Sequence, residues 1–111
     1  MKSCLLLCGC AVLLLSSCAQ PPRAELLQFA KADCLFWYLS KKGYDLKDIR
    51  AISGGIVELG SAAPEQYERI SFLVKKYQPP LATKQDIDID LLKCFIMEED
   101  ADFLRALAEE E

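Results

Sequence analysis

Apolar positions recur along this chain at three- and four-residue intervals, the period of amphipathic helices whose apolar residues share one face. Residues 24–42 predict the longest of them. Leu27, Ala30, Cys34, Trp37 and Tyr38 fall on one face, and Leu26, Leu35 and Phe36 widen it. So broad an apolar face predicts the central helix of the fold. Lys41 and Lys42 sit in its last turn, favourable against the helix dipole, and Gly43 suits the position just past its end.

A second helix is predicted from about Asp45 to Leu59. Asp45 is its expected N-cap, with Asp48 three residues on, and Leu46, Ile49, Ile52, Ile56 and Leu59 form its stripe. Gly54 and Gly55 lie in its middle, each costing about 1 kcal/mol relative to alanine. They predict a kink or a break into two shorter helices; the alternative is close backbone approach by a neighbour or partner. Gly60-Ser61-Ala62-Ala63-Pro64 ends this helix, and Pro64 suits the first position of the next. Tyr67, Ile70, Leu73 or Val74, and Tyr77 mark the buried face of the third helix, which Gln78-Pro79-Pro80 stops.

A fourth helix begins between Asp86 and Asp90 and carries Leu91, Leu92, Cys94 and Phe95. Asp100 or Asp102 caps a last short helix through Phe103, Leu104 and Leu107. Ile87 and Ile89 alternate with aspartates over too short a run to make a sheet alone. The expected fold class is all-α, a small domain of four to five helices.

The first residues follow a different logic. Lys2 is followed by an uncharged apolar run from Leu5 to Leu15, shorter than the roughly 20 residues a membrane-spanning helix needs. It ends in Leu15-Ser16-Ser17-Cys18, which resembles the bacterial lipobox. Residues 1–17 are thus expected to be a lipoprotein signal peptide, and Cys18 the site of cleavage and lipid attachment. The alternative is a plain cleaved signal ending near Ala19. Leu7-Cys8-Gly9-Cys10 looks like a second lipobox but would leave too short an apolar core. Alanine rather than aspartate after Cys18 points to the outer membrane, so the expected location is periplasmic and membrane-anchored through lipid. Residues 18–23 form a polar, proline-containing tether, and residues 24–111 the helical domain.

Export sharpens the cysteine count. Cys4, Cys8 and Cys10 leave with the signal and Cys18 carries lipid, so Cys34 and Cys94 remain in a compartment that oxidises thiols. A Cys34–Cys94 disulfide is expected, closing a loop of about 60 residues worth roughly 4 kcal/mol in the chain-entropy model. Two buried free cysteines are the alternative.

At 111 residues, 52% apolar and 27% charged, the chain can form one core. A formal charge of −4 with scattered lysines leaves no footprint for nucleic acid. The sequence contains no histidine, the commonest general base and metal ligand. Asp86, Asp88 and Asp90 open like a calcium loop, but Leu91 holds the glycine position and Met97 that of the bidentate glutamate. They read instead as an acidic helix start, and Glu98-Glu99 as a solvated face. No catalytic residue, metal site or cofactor is expected.

The stretch Ile87-Asp88-Ile89-Asp90-Leu91-Leu92-Lys93-Cys94-Phe95-Ile96-Met97 resembles the C-terminal signature of the Tai4 family, immunity proteins against amidase effectors of the type VI secretion system. Ala32-Asp33-Cys34-Leu35 is similar to that family's first helix, and Leu73-Val74-Lys75-Lys76-Tyr77, before a proline-containing loop, is a third match. The resemblance implies an all-α periplasmic inhibitor, often a homodimer, that blocks a peptidoglycan amidase with a cysteine–histidine active site. It also implies that the loop before the Leu-Leu-Lys-Cys helix approaches that active site. Here the loop is Gln78, Pro79, Pro80, Leu81, Ala82, Thr83, Lys84, Gln85 and Asp86. The lipobox departs from the family, where a soluble protein is the pattern. A non-enzymatic structural or assembly lipoprotein of the envelope is the alternative function.

Overall fold

The longest helix, α1 (Ala24–Lys42), is the element on which the others assemble, as its broad apolar face predicts. A computed structural model describes residues 24–80 and 86–110. The expected signal peptide of residues 1–17, Cys18 and the expected tether of residues 18–23 lie outside the described residues. After α1 come α2 (Lys47–Leu59), α3 (Pro64–Lys76), α4 (Ile89–Ile96), a single 3-10 turn (Met97–Glu99) and α5 (Ala101–Ala108). Among the described residues there is no strand. α1 packs against α2, α3 and α4, while α5 lies against α3 and the 3-10 turn. The molecule is therefore an all-α, disulfide-stapled helical domain.

Local chemistry sets the helix ends. Gly43 adopts φ +81°, and α1 closes with Gly43 N–H donating to Ser40 O (3.1 Å) and Tyr44 N–H to Leu39 O (2.9 Å). That paired closure needs a left-handed residue, which glycine adopts without strain. Pro64 opens α3, and Gln66 Oε1 accepts from Ala63 N–H (2.8 Å) at the helix start. α3 ends at Lys76, before the two prolines. Asp88 caps α4, accepting from Asp90 N–H (3.1 Å) and Leu91 N–H (3.4 Å). Asp100, not Asp102, caps α5, accepting from Asp102 N–H (3.0 Å) and Phe103 N–H (3.3 Å).

Three expectations need correction. Asp45 is not the N-cap of α2: it accepts from Lys47 N–H (3.1 Å) and forms a turn one residue earlier, leaving Leu46 at the cap. Gly54 and Gly55 do not break α2, which runs through both, and a Cβ built at either would meet nothing within 4 Å. Neither a break nor close approach by a neighbour within this chain accounts for them. On α1 the buried stripe is Leu26, Phe29, Ala30, Asp33 and Cys34, rotated away from the expected one, so that Trp37 is partly exposed.

The core gathers Leu26, Phe29, Ala30 and Cys34 of α1, Tyr67, Ile70 and Val74 of α3, then Cys94, Met97, Phe103 and Leu107. Cys34 and Cys94 are joined, with their Cα atoms 5.5 Å apart, as the cysteine count predicts. α2 contributes least. Ile49 is buried and Ile56 packs against the core, but Ile52 and Leu59 of the same stripe are exposed, Leu59 at 92%. Phe95 also faces out: one residue past Cys94, the helix turns it about 100° away from the tethered face.

Candidate functional site

The loop expected to bind a partner begins after α3 at a point held on two sides. Lys93 Nζ donates to Tyr77 O (3.3 Å) and to Val74 O (3.1 Å), which also accepts from Tyr77 N–H (3.2 Å) at the end of α3. Burial lowers the pKa of this lysine, with Lys41 opposing its charge and Asp90 and Asp33 favouring it. Tyr77 Oη donates to Asp100 Oδ2 (2.7 Å), and its ring lies 5.0 Å from that of Phe103. The last residue before the loop is thus fixed to α4 through its carbonyl and to α5 through its side chain.

Of the loop residues, Gln78 and Pro80 are exposed, Pro79 is half-buried, and Asp86 is exposed where the chain resumes. Leu81, Ala82, Thr83, Lys84 and Gln85 lie outside the described residues. Gln78 and Pro80 form one rim of a cleft of about 290 Å³ whose other walls include Leu73, Tyr77, Asp100 and Phe103. Asp88 and Asp90, past the loop, bind the end of α1 instead: Lys42 Nζ lies 3.0 Å from Asp88 Oδ2 and Lys41 Nζ 2.9 Å from Asp90 Oδ2. The Lys42 contact holds the Asp88 carboxyl below its usual range. Among the described residues no group of three histidine, cysteine, aspartate or glutamate side chains is placed to hold a metal ion.

A second concave region lies beside the disulfide. Asp33 is 8% exposed, and its carboxylate accepts from Ser71 Oγ (3.0 and 3.2 Å) and Trp37 Nε1 (3.1 Å). Burial raises its pKa, opposed by those two donors and by Lys75 and Lys93. Lys75 Nζ stands 4.6 Å from the centre of the Trp37 ring. On one side of this stack a cleft of about 340 Å³ is walled by Cys34, Trp37, Ser40, Lys41, Val74, Lys75 and Lys93. On the other, about 380 Å³ lies among Trp37, Glu68, Ser71, Phe72 and Lys75.

Asp33, Ser71, Lys75 and Lys93 escaped the sequence reading as a group, because they come from three helices. One signal was present: Asp33 falls three residues after Ala30 and four after Phe29, where an apolar residue would continue the stripe. A carboxylate there needs donors, and the structure supplies them.

Searches of family models, of curated proteins and of solved structures match nothing in this chain.

Proposed function

We propose that this protein is an immunity protein that binds and inhibits a peptidoglycan amidase effector of the type VI secretion system. In this reading lipid on Cys18 holds it in the periplasm at the outer membrane, and residues 78–86 enter or cover the amidase active site. The observation that carries the reading is the pinned departure of that loop. Lys93 and Asp100 fix Tyr77 from two helices, so the residues that lead into the loop, Tyr77 to Pro80, stand on a rigid base beside an open cleft. Pro79 and Pro80 restrict the unbound loop, which lowers the entropy lost on binding. Such a loop on a rigid scaffold is suited to recognition. The resemblance of Ile87–Met97 and of the Cys34 and Cys94 contexts to the Tai4 family supports the same partner class.

The test uses the protein encoded next to this one, which this reading expects to be the amidase. Leu81-Ala82-Thr83-Lys84 is replaced by Gly-Ser-Gly-Ser, and thermal unfolding and residual amidase activity on peptidoglycan are measured. An unchanged melting temperature with a large loss of inhibition supports the assignment. Full inhibition by the replaced loop removes it from the interface. If the unaltered protein neither co-purifies with the enzyme nor inhibits it, the role is that of a structural envelope lipoprotein. Metabolic labelling with a clickable palmitate, comparing the natural protein with Cys18→Ala, tests the anchor separately.

A further inference from the structure

We infer that the paired clefts around Trp37 bind an acidic segment of a partner protein that carries an apolar side chain beside its carboxylates, with a carboxylate seated among Lys41, Lys75 and Lys93. The molecule carries a formal charge of −4, yet three lysines from three helices converge on the wall of one cleft. Only Lys41 is neutralised by an ion pair, with Asp90. Lys93 is held by two backbone carbonyls, which carry no net charge, and Lys75 by the face of an indole ring. Among the described residues neither forms an ion pair. Asp90 and Asp33 favour the Lys93 charge and Lys75 acts on Asp33, two carboxylates against three lysines, and the Asp33 carboxylate is buried and already accepts from Ser71 and Trp37. The cleft therefore presents excess positive charge at a partly desolvated surface, where an incoming carboxylate completes the pairing.

The aromatic side chains specify what accompanies that charge. Trp37 is 38% exposed and Phe72 64% exposed, and both line the second cleft. Large rings offered to solvent beside a cation are anchors of the kind that dominate protein interfaces. Glu68, one turn before Phe72 on α3, also lines that second cleft and repels a carboxylate from it, which places the acidic group on the Lys41 and Lys93 side and the apolar group against Phe72. This site shares Lys93 with the base of the loop of residues 78–86, but inhibition through the loop could hold with the clefts idle.

Trp37 is the chain's single tryptophan, so its fluorescence reports the site directly. The probe is a blocked pentapeptide, glycine–glutamate–leucine–glutamate–glycine, titrated into the purified protein by fluorescence and by calorimetry. A peptide with both glutamates changed to glutamine, and inorganic phosphate, run in parallel. The expected result is saturable binding of the glutamate peptide that weakens with added salt. Lys75→Glu should weaken it at least about tenfold, while Arg105→Glu on α5 leaves it unchanged. Three results would each overturn the inference: no saturable binding, equal binding of the glutamine peptide or of phosphate, or equal weakening by both substitutions. None of these bears on amidase inhibition, which is measured separately.

Discussion

Tyr77 Oη and Asp100 Oδ2 lie 2.7 Å apart, and this contact joins the end of α3 to the cap of α5. Asp100 uses its two oxygens for different tasks. Oδ2 takes the phenol, while Oδ1 takes the first free N–H groups of α5. The Tyr77 phenol, followed by the helix N–H groups, holds the Asp100 carboxyl below its usual range. Burial, and then Asp100, pushes the Tyr77 hydroxyl up.

The signs give a stability prediction at both ends of the pH scale. A depressed carboxylate stabilises fully above its ordinary value of 3.8 and loses that contribution as pH falls through the folded value. A raised phenol stabilises fully below its ordinary value of 10.0 and loses that contribution as pH rises through the folded value. Tyr77→Phe removes the phenol's contribution and the largest part of the carboxylate's, leaving the helix N–H groups on Asp100, so its deficit in melting temperature should be largest near pH 7 and shrink in acid and above pH 10. Thermal melts across that range check it; a deficit independent of pH would mean that ring packing alone is at stake.

Asp33 has the opposite sign. Burial raises its pKa, so the fold is favoured with Asp33 protonated and loses that advantage as pH climbs above 3.8. Asp33→Asn keeps the shape and an acceptor for Trp37 Nε1. It should hold the melting temperature at neutral pH at or above that of the natural protein and flatten the pH dependence in this window. A large loss at pH 7 would instead show that the charge itself is needed by Ser71, Trp37 and the neighbouring lysines.

Reduction of Cys34–Cys94 should lower stability by about 4 kcal/mol, because the bridge closes a separation of 60 residues. Denaturant unfolding with and without reductant measures it. Cys34→Ala should cost nearly as much as reduction, since both sulfurs are buried and no other thiol in the described residues can replace the lost partner.

Gly54→Ala and Gly55→Ala should each stabilise the protein by up to about 1 kcal/mol. A Cβ meets nothing at either position, and both lie inside a regular helix. Gly60→Ala should destabilise, because its Cβ would collide with Tyr67 Oη and with Glu25 Oε2, which also accepts from Ser61 N–H (2.8 Å). Chemical denaturation of the three variants separates these outcomes. If the α2 substitutions preserve stability but abolish amidase inhibition, that surface is in contact with the partner.

The all-α class, the helix order, the ends of α1 and α3 and the disulfide were all legible in the amino-acid order. Each depends on features within a few residues, such as apolar spacing, Gly43, Pro64, Pro79 and Pro80, or on a count of the thiols that an exported chain would keep. Asp45 shows the limit of local inference. An aspartate before a helix can cap it or turn the chain one residue earlier, and pattern does not separate the two. Only the tertiary structure decided which face of α1 is buried, that Leu59 and Phe95 remain outside, and that Asp33 meets Ser71 and Trp37 beneath Lys75 and Lys93. The reason is geometric. A helix's period says which of its residues share a face, but which face turns inward is set by neighbours packing from elsewhere in the chain. A buried carboxylate, likewise, can be held only by donors that those neighbours bring.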